Sequence, residues 1–323
     1  MHNRRIWISS TFAALLAASA FVVSSDAQPN TVKKIVDGVW FREGDIKNQG
    51  HCNNIIIEMK DYLIMVDANF PSGARLALED AKKVSKKPVK YVFDTHHHGD
   101  HAYGNSFWTK QGAITLAHVG VANEMKRLEP TRWQAAMKER EDIKATGEKT
   151  VEPPKETFSE NKKVINDGSR IVEFHFLGHA HTRGDGFVFL PKEKVIATGD
   201  AVVNGPFNYT ADGNITNWPN VVNAAIALGA THVLPAHGPS GGVEILKGEH
   251  AFMTELRKAV EAEVKKGKKL TDIVKLEKGE AKSTSVKLPD SVKNWVGDFL
   301  PAQVKDAYGE VTQKKSSAEV NAK

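Results

Sequence analysis

A single cysteine, Cys52, stands in a chain of 323 residues. No intrachain disulfide can form, so the fold must be held by its core, and Cys52 reads as a small buried apolar residue rather than a reactive thiol. An excess of one charge is equally lacking: 44 basic residues oppose 39 acidic ones, a formal +5. The densest basic run, Lys265, Lys266, Lys268 and Lys269 around Gly267, reads as a solvated helix end rather than a polyanion site. Nucleic acid is therefore not the expected partner. Long apolar runs are missing except near the N-terminus, where Arg4 and Arg5 precede Ile6 to Val23 and the small residues Ser25, Asp26 and Ala27 follow. That order is the order of a secretory signal, so residues 1–27 are expected to be cleaved and the mature protein to be exported to the periplasm. A membrane anchor is the rival reading, but Ser9, Ser10 and Thr11 interrupt the run and it is short for a span. No stable membrane insertion is expected once the segment is removed, and the formal charge then falls to +4 by loss of Arg4, Arg5 and Asp26.

What remains is ordinary globular material, 41% hydrophobic and 26% charged, with no internal repeat. Apolar runs predict strands at Gly38 to Arg42, Ile55 to Met59 and Tyr62 to Val66, the last two joined at Lys60-Asp61 as a hairpin. Ala74, Leu78, Ala81 and Val84 share one face of a helix predicted over Ser72 to Lys86, and a strand follows at Val89 to Phe93. This strand, helix, strand order implies a right-handed crossover and a partly parallel sheet. Residues 118–162 are polar and read as an inserted lid of helices and loop. Strands return at Arg170 to Leu177, Gly186 to Leu190, Lys194 to Ala197 and His232 to Leu234, with a helix at Asn220 to Leu228 between the last two. From Val243 the chain is mainly helical, and Gln313 to Lys323 has too few apolar residues to order itself.

The stretch THHHGDHAYGN, residues 95–105, follows the Val89 to Phe93 strand directly. His96, His98, Asp100 and His101 form the pattern His-x-His-x-Asp-His. Two histidines at i and i+2 can converge on one cation while the aspartate and the next histidine face a second. Imidazole with carboxylate suits zinc, and also iron or manganese.

This pattern resembles the metallo-β-lactamase superfamily, over roughly residues 35–245. The resemblance implies a four-layer αββα sandwich of two mixed β-sheets, with C-terminal helices added here. It also implies an assignment of the residues that follow. FLGHAHTRGDGFVFLP (residues 176–191) matches the segment supplying a third histidine, His181, preferred over His179 because Thr182 follows it. VIATGD supplies a bridging aspartate, Asp200; VLPAHGP supplies His237; and LIMVDANF places Asp67 as the aspartate that supports the ligands from behind. His96, His98 and His181 would then hold one divalent ion and Asp100, His101 and His237 another, with Asp200 between them. Such a pair acidifies a shared water for attack on a carbonyl, and Asp100 would orient that water or move its proton.

The implied organisation is a signal at 1–27, a hydrolase domain at 28–245 with the insertion at about 118–162, a helical extension at 246–312 and a disordered tail at 313–323. The implied activity is periplasmic hydrolysis of a small ester, thioester, lactone or amide by two metal ions, zinc first. Asp200 and the His181 segment carry a likeness to the glyoxalase II branch and to exported hydrolases of quinoprotein oxidation systems, since zinc β-lactamases characteristically have cysteine or serine at the bridging position. A class B type β-lactamase is the alternative, and a non-catalytic metal-binding module a third reading. Among other residues, His97 should point away from the metals, and His118, His175, His232 and His250 read as core or surface. Tyr103 and Asn105 read as loop-shaping residues; His51, Tyr209 and Trp218 are candidates to border a substrate pocket.

Overall fold

A computed structural model describes residues 29–322. The segment read as a signal lies outside the described residues. The first sheet opens with β1 (Val32–Val36), β2 (Val39–Arg42), β3 (Asn54–Glu58) and β4 (Leu63–Val66), each antiparallel to the next. After α1 (Pro71–Val84) the chain returns as β5 (Val89–Phe93), parallel to β4. It continues through α2 (Gly99–Ala102) and α3 (Asn105–Lys110) to β6 (Ile114–His118), then through α4 (Val119–Glu139) and α5 (Glu141–Lys144) to β7 (Glu156–Phe158), again parallel. The second sheet is β8 (Lys162–Asn166), β9 (Ile171–Phe176), β10 (Gly186–Leu190) and β11 (Val195–Ala197), antiparallel, with α6 (Trp218–Ala227) crossing to β12 (His232–Leu234), parallel to β11.

Strand alternation explains the layering. In β3, Ile55 and Ile57 pack between the sheets, whereas Ile56 turns outward against Ala74, Ala77 and Ala81 of α1. In β10, Val188 and Leu190 face the first sheet while Phe187 and Phe189 face α6 and the C-terminal helices. Both faces of these strands are covered, which is why they read in the sequence as continuous apolar runs. Helices, sheet, sheet and helices make the expected αββα sandwich.

The C-terminal part adds α7 (Val243–Lys265), α8 (Leu270–Ile273), a hairpin of β13 (Val274–Glu277) and β14 (Glu280–Thr284), α9 (Leu300–Gln313) and α10 (Ser317–Val320). Leu246, Phe252 and Leu256 of α7 and Val304 of α9 extend the outer core of the second sheet. The lysine run does mark a helix end, with Gly267 in the left-handed conformation at φ 77°.

Three expectations need correction. The 118–162 segment is not only helix and loop, because Glu156–Phe158 joins the first sheet as its last strand. The extension is not purely helical, since it contains the β13–β14 hairpin. The tail is not disordered through residue 322: Ser316 and Glu319 form a reciprocal cap, and Ser317 and Ala318 are buried. Ala318 N donates to Gly213 O at 3.0 Å. Polar groups rather than apolar area supply the order, so a count of apolar residues missed it.

Candidate metal centre

The loops leaving β4, β5, β9, β11 and β12 meet at one end of the sandwich. Asp67, directly after β4, adopts a left-handed backbone at φ 66°. This turns its carboxylate back onto the β5 loop, where Thr95 N and Oγ1 donate to Oδ1 at 2.9 and 2.8 Å. Its Oδ2 lies 3.0 Å from His101 Nδ1, so the carboxylate sits behind that ring. Cys52 is fully buried nearby, its thiol pushed up by burial, and belongs to the back of the site. Gly199 holds φ 52°, and a Cβ there would lie 2.6 Å from Thr95 Oγ1; only glycine lets Asp200 approach the β5 loop.

Two groups of donor atoms result, with one carboxylate between them. His96 Nε2 and His181 Nε2 stand 3.1 and 3.0 Å from His98 Nδ1. On the other side, Asp100 Oδ2 lies 3.2 Å from His101 Nε2 and 3.1 Å from His237 Nε2. Asp200 stands between them, with Oδ2 3.7 Å from His181 Nε2 and 3.3 Å from His237 Nε2, and Oδ1 3.4 Å from His101 Nε2. All seven residues named from the motif are thus brought together around two adjacent points, with Asp67 behind them.

The donor set fits divalent cations. His101 Nε2 and Asp200 Oδ1 are buried and make no hydrogen bond although they face each other, which leaves lone pairs aimed at a shared space. Burial, together with the neighbouring rings, holds His96 well below the usual histidine value, and burial brings His181 down to about 3. Those rings are neutral donors at physiological pH. At the other pole burial acts in the same direction but is outweighed by Asp200 and Asp100, so His237 rises to about 9 and His101 rises too. Burial likewise opposes the charge on Asp100 and Asp200, yet His101 and His237 hold both carboxyls below the ordinary range. A cation at this pole would replace those protons.

A surrounding network was not legible in the sequence. His98 turns its other nitrogen, Nε2, to Asp212 Oδ2 at 2.9 Å, which leaves Nδ1 to face His96 and His181. Arg132 of α4 grips the same carboxylate with both terminal nitrogens, at 2.7 and 2.9 Å, and reaches Glu129 Oε1 at 3.3 Å. Glu129 in turn bonds His97 Nδ1 at 2.8 Å and accepts from Tyr103 OH. His97 therefore points away from the clusters, as expected, but it anchors the inserted helix. Asp185 caps the His181 loop, accepting from Ala180 N, His181 N and Thr182 N. No pattern in the sequence marks Asp212, Glu129 or Arg132, because their partners lie far away along the chain; Asp185 sits inside the FLGHAHTRGDGFVFLP motif but carries no signal of its own.

Of the remaining candidates, Tyr209 lines the cavity over the clusters while Trp218 is fully buried with its ring 5.7 Å from that of His181. His51 is buried against Ser72 Oγ at 2.8 Å, away from the cavity lining. His179 turns to Asp212 O at 3.1 Å. His118 stacks on Phe176 and His175 bonds Glu173 at 2.8 Å, both structural. Tyr103 borders the cavity, and Asn105 is buried against Asp94 at 2.8 Å.

The family profile described as "Metallo-beta-lactamase superfamily" matches residues 48–237. Among curated proteins, metallo-beta-lactamase IND-1 of Chryseobacterium indologenes is 26% identical over 237 residues, covering 67% of this chain and 89% of that one. Among solved structures, a metallo-beta-lactamase from Pontibacter korlensis aligns with a TM-score of 0.56 at 22% identity, covering 69% of this chain and 98% of that chain. The metallo-beta-lactamase FIM-1 from Pseudomonas aeruginosa, in its mono-zinc form, aligns with a TM-score of 0.54 at 24% identity, covering 70% and 96%. At such identities the structural likeness is one of fold.

Proposed function

Since the chain belongs to the metallo-beta-lactamase superfamily of metal-dependent hydrolases, we propose that it opens β-lactam rings with two divalent ions, zinc first, held at the two clusters. The observation that carries this reading is the pair of three-residue donor groups sharing Asp200, set in a fold whose similar proteins are named as β-lactamases. His96, His98 and His181 would hold one ion, Asp100, His101 and His237 the other, and Asp200 would touch both. Ions so held lower the pKa of a water and polarise the substrate carbonyl. The chain's own residues do the rest. Asp67 fixes the ring of His101, Asp212 fixes that of His98, and burial keeps His96 and His181 neutral. Asp100, at the cavity lining, takes the proton of the attacking water and delivers it to the ring nitrogen as the C–N bond breaks.

Asp200 favours a second reading. A carboxylate between the clusters, where the resemblance expects cysteine or serine in a zinc β-lactamase, supports hydrolysis of an ester, thioester or lactone by the same residues. A chromogenic cephalosporin assayed beside a thioester and a lactone, each with a chelated control, separates the two. Chelator-sensitive opening at kcat/KM on the order of 10⁴ M⁻¹s⁻¹ or more upholds the β-lactam reading. Faster cleavage of the thioester or lactone, with negligible cephalosporin opening, overturns it in favour of the second. The basic-then-apolar leader supports export of the enzyme; N-terminal sequencing of protein recovered from the periplasm should start near residue 28.

A further inference from the structure

The cavity over the two clusters, about 550 Å³, has an aromatic wall whose origin is divided between two parts of the chain. Phe207 and Tyr209 come from the loop after Asp200. The ring of Phe207 lies 6.0 Å from His237, and that of Tyr209 lies 5.6 Å from His98, so one aromatic stands beside each cluster. Phe299 comes from the C-terminal extension, at the start of α9 and outside the residues matched to the family. Tyr209 and Phe299 also line a second cavity that adjoins the first.

Two observations mark this wall as a binding surface. Tyr209 and Phe299, 39% and 44% exposed, are the only aromatic side chains among the described residues open to that degree, and both face the cavity. Exposed apolar area is informative when it collects at one place. The wall is also rigidly held. Gln303 Nε2 donates to Asn208 O at 2.7 Å and Thr210 Oγ1 donates to Asp306 Oδ2 at 2.7 Å, so α9 clamps the chain on both sides of Tyr209. The same helix therefore delivers Phe299 and fixes its neighbour. Charge, by contrast, is already spent: among the described residues Arg132 is the one lysine or arginine lining the cavity, and Asp212 and Glu129 occupy its guanidinium.

We infer that Tyr209 and Phe299, with Phe207, form a subsite for a flat aromatic substituent of the substrate, built jointly by the loop after Asp200 and by the C-terminal helices. Selection is by apolar contact with a ring rather than by pairing a charge. The inference rests on the hydrolase reading above for what enters the cavity.

The test uses the full mature chain, metal-loaded, and two β-lactams that share one ring system but carry a benzyl or a methyl acylamino group. The wild type should favour the benzyl compound on the order of 10-fold in kcat/KM, through KM rather than kcat. Phe299→Ala should bring that ratio to about 2-fold or less, with metal content unchanged, and Phe299→Leu should fall between them. Val164→Ala, an equally exposed apolar position on β8, should leave the ratio alone. Equal rates for the two compounds in the wild type, or an unaltered ratio in Phe299→Ala, overturns the subsite. If neither compound is hydrolysed, the β-lactam reading fails by itself. Calorimetric titration of the two ring-opened acids then decides the subsite: a benzyl preference that Phe299→Ala abolishes upholds it, and equal affinities overturn it.

Discussion

Two loops face each other across the cavity, and they are held by different means. The ligand loop, residues 94–101, leaves the central strand β5 and is gripped from behind by Asp67, inside the part of the fold that two packed sheets define. The loop after Asp200, residues 203–216, is pinned by buried Val203 and Ile215 and through Asp212, but much of its polar support comes from side chains of the C-terminal part. Glu310 alone accepts from Ile215 N, Thr216 N and Thr216 Oγ1 at 2.7–2.8 Å, and from Ser317 N and Oγ. Trp295 Nε1 donates to Val203 O at 3.1 Å, and Asn208, with its amide nitrogen turned inward, reaches Glu249 Oε1 at 2.8 Å. The difference separates two tasks. On the readings proposed above, chemistry sits where packing makes displacement costly and selectivity where a few polar contacts can be rewritten.

The comparison is open to attack at four points. His181→Ala should remove about one equivalent of metal and lower kcat/KM by more than the roughly 10–100-fold typical of losing a residue that only orients a ligand; full metal content with an unaltered rate would remove His181 from the site. Asp67→Asn should lower metal affinity roughly 10–100-fold, read by competition with a chelator, while the fold stays intact. An unchanged affinity would mean that the ligand loop does not depend on the carboxylate behind it.

Glu310→Ala should act on the other loop. Five donors, three of them buried, lose their acceptor, so unfolding stability should fall by roughly 2–4 kcal/mol, read by denaturant titration, with metal content retained. Loss of metal instead would show that the two loops are not separately supported. The smallest effect is expected from Glu249→Gln. Burial pushes the Glu249 carboxyl well above its ordinary value of 4.5, an effect that Val203 N and Asn208 only partly offset. A carboxyl with a raised value in the fold takes up a proton on folding. Its contribution is fully present below the unfolded value and is lost as pH rises through the folded one. Wild-type stability should therefore decline more steeply than that of Glu249→Gln as pH rises above the ordinary carboxyl value of 4.5; parallel curves would reject this account.

Much of the first loop was readable in the sequence and little of the second. Strands such as β3 and β10 announce themselves because both of their faces are covered, and the His-x-His-x-Asp-His run is local enough to be seen as a unit. Asp200 and His237 follow short apolar strands in recognisable segments. Asp212 bonds His98 across 114 positions and Arg132 across 80, and neither contact leaves a local trace. The strand β7 is three residues long with one buried side chain, too short to show alternation. The order of the tail depends on where Glu310 and Gly213 lie in space, which no window of sequence contains.

Glu310 also sets a timetable. Its carboxylate joins a loop about 95 positions upstream to a serine seven positions downstream. The seven residues brought together at the two clusters all lie before residue 238, yet the loop bearing Tyr209 takes its polar support from a stretch that runs on through Ala318. Contacts so distant along the chain are slow to form because a long segment must be closed first. Folding, wherever it occurs, should therefore assemble the two clusters before it closes the loop bearing Tyr209.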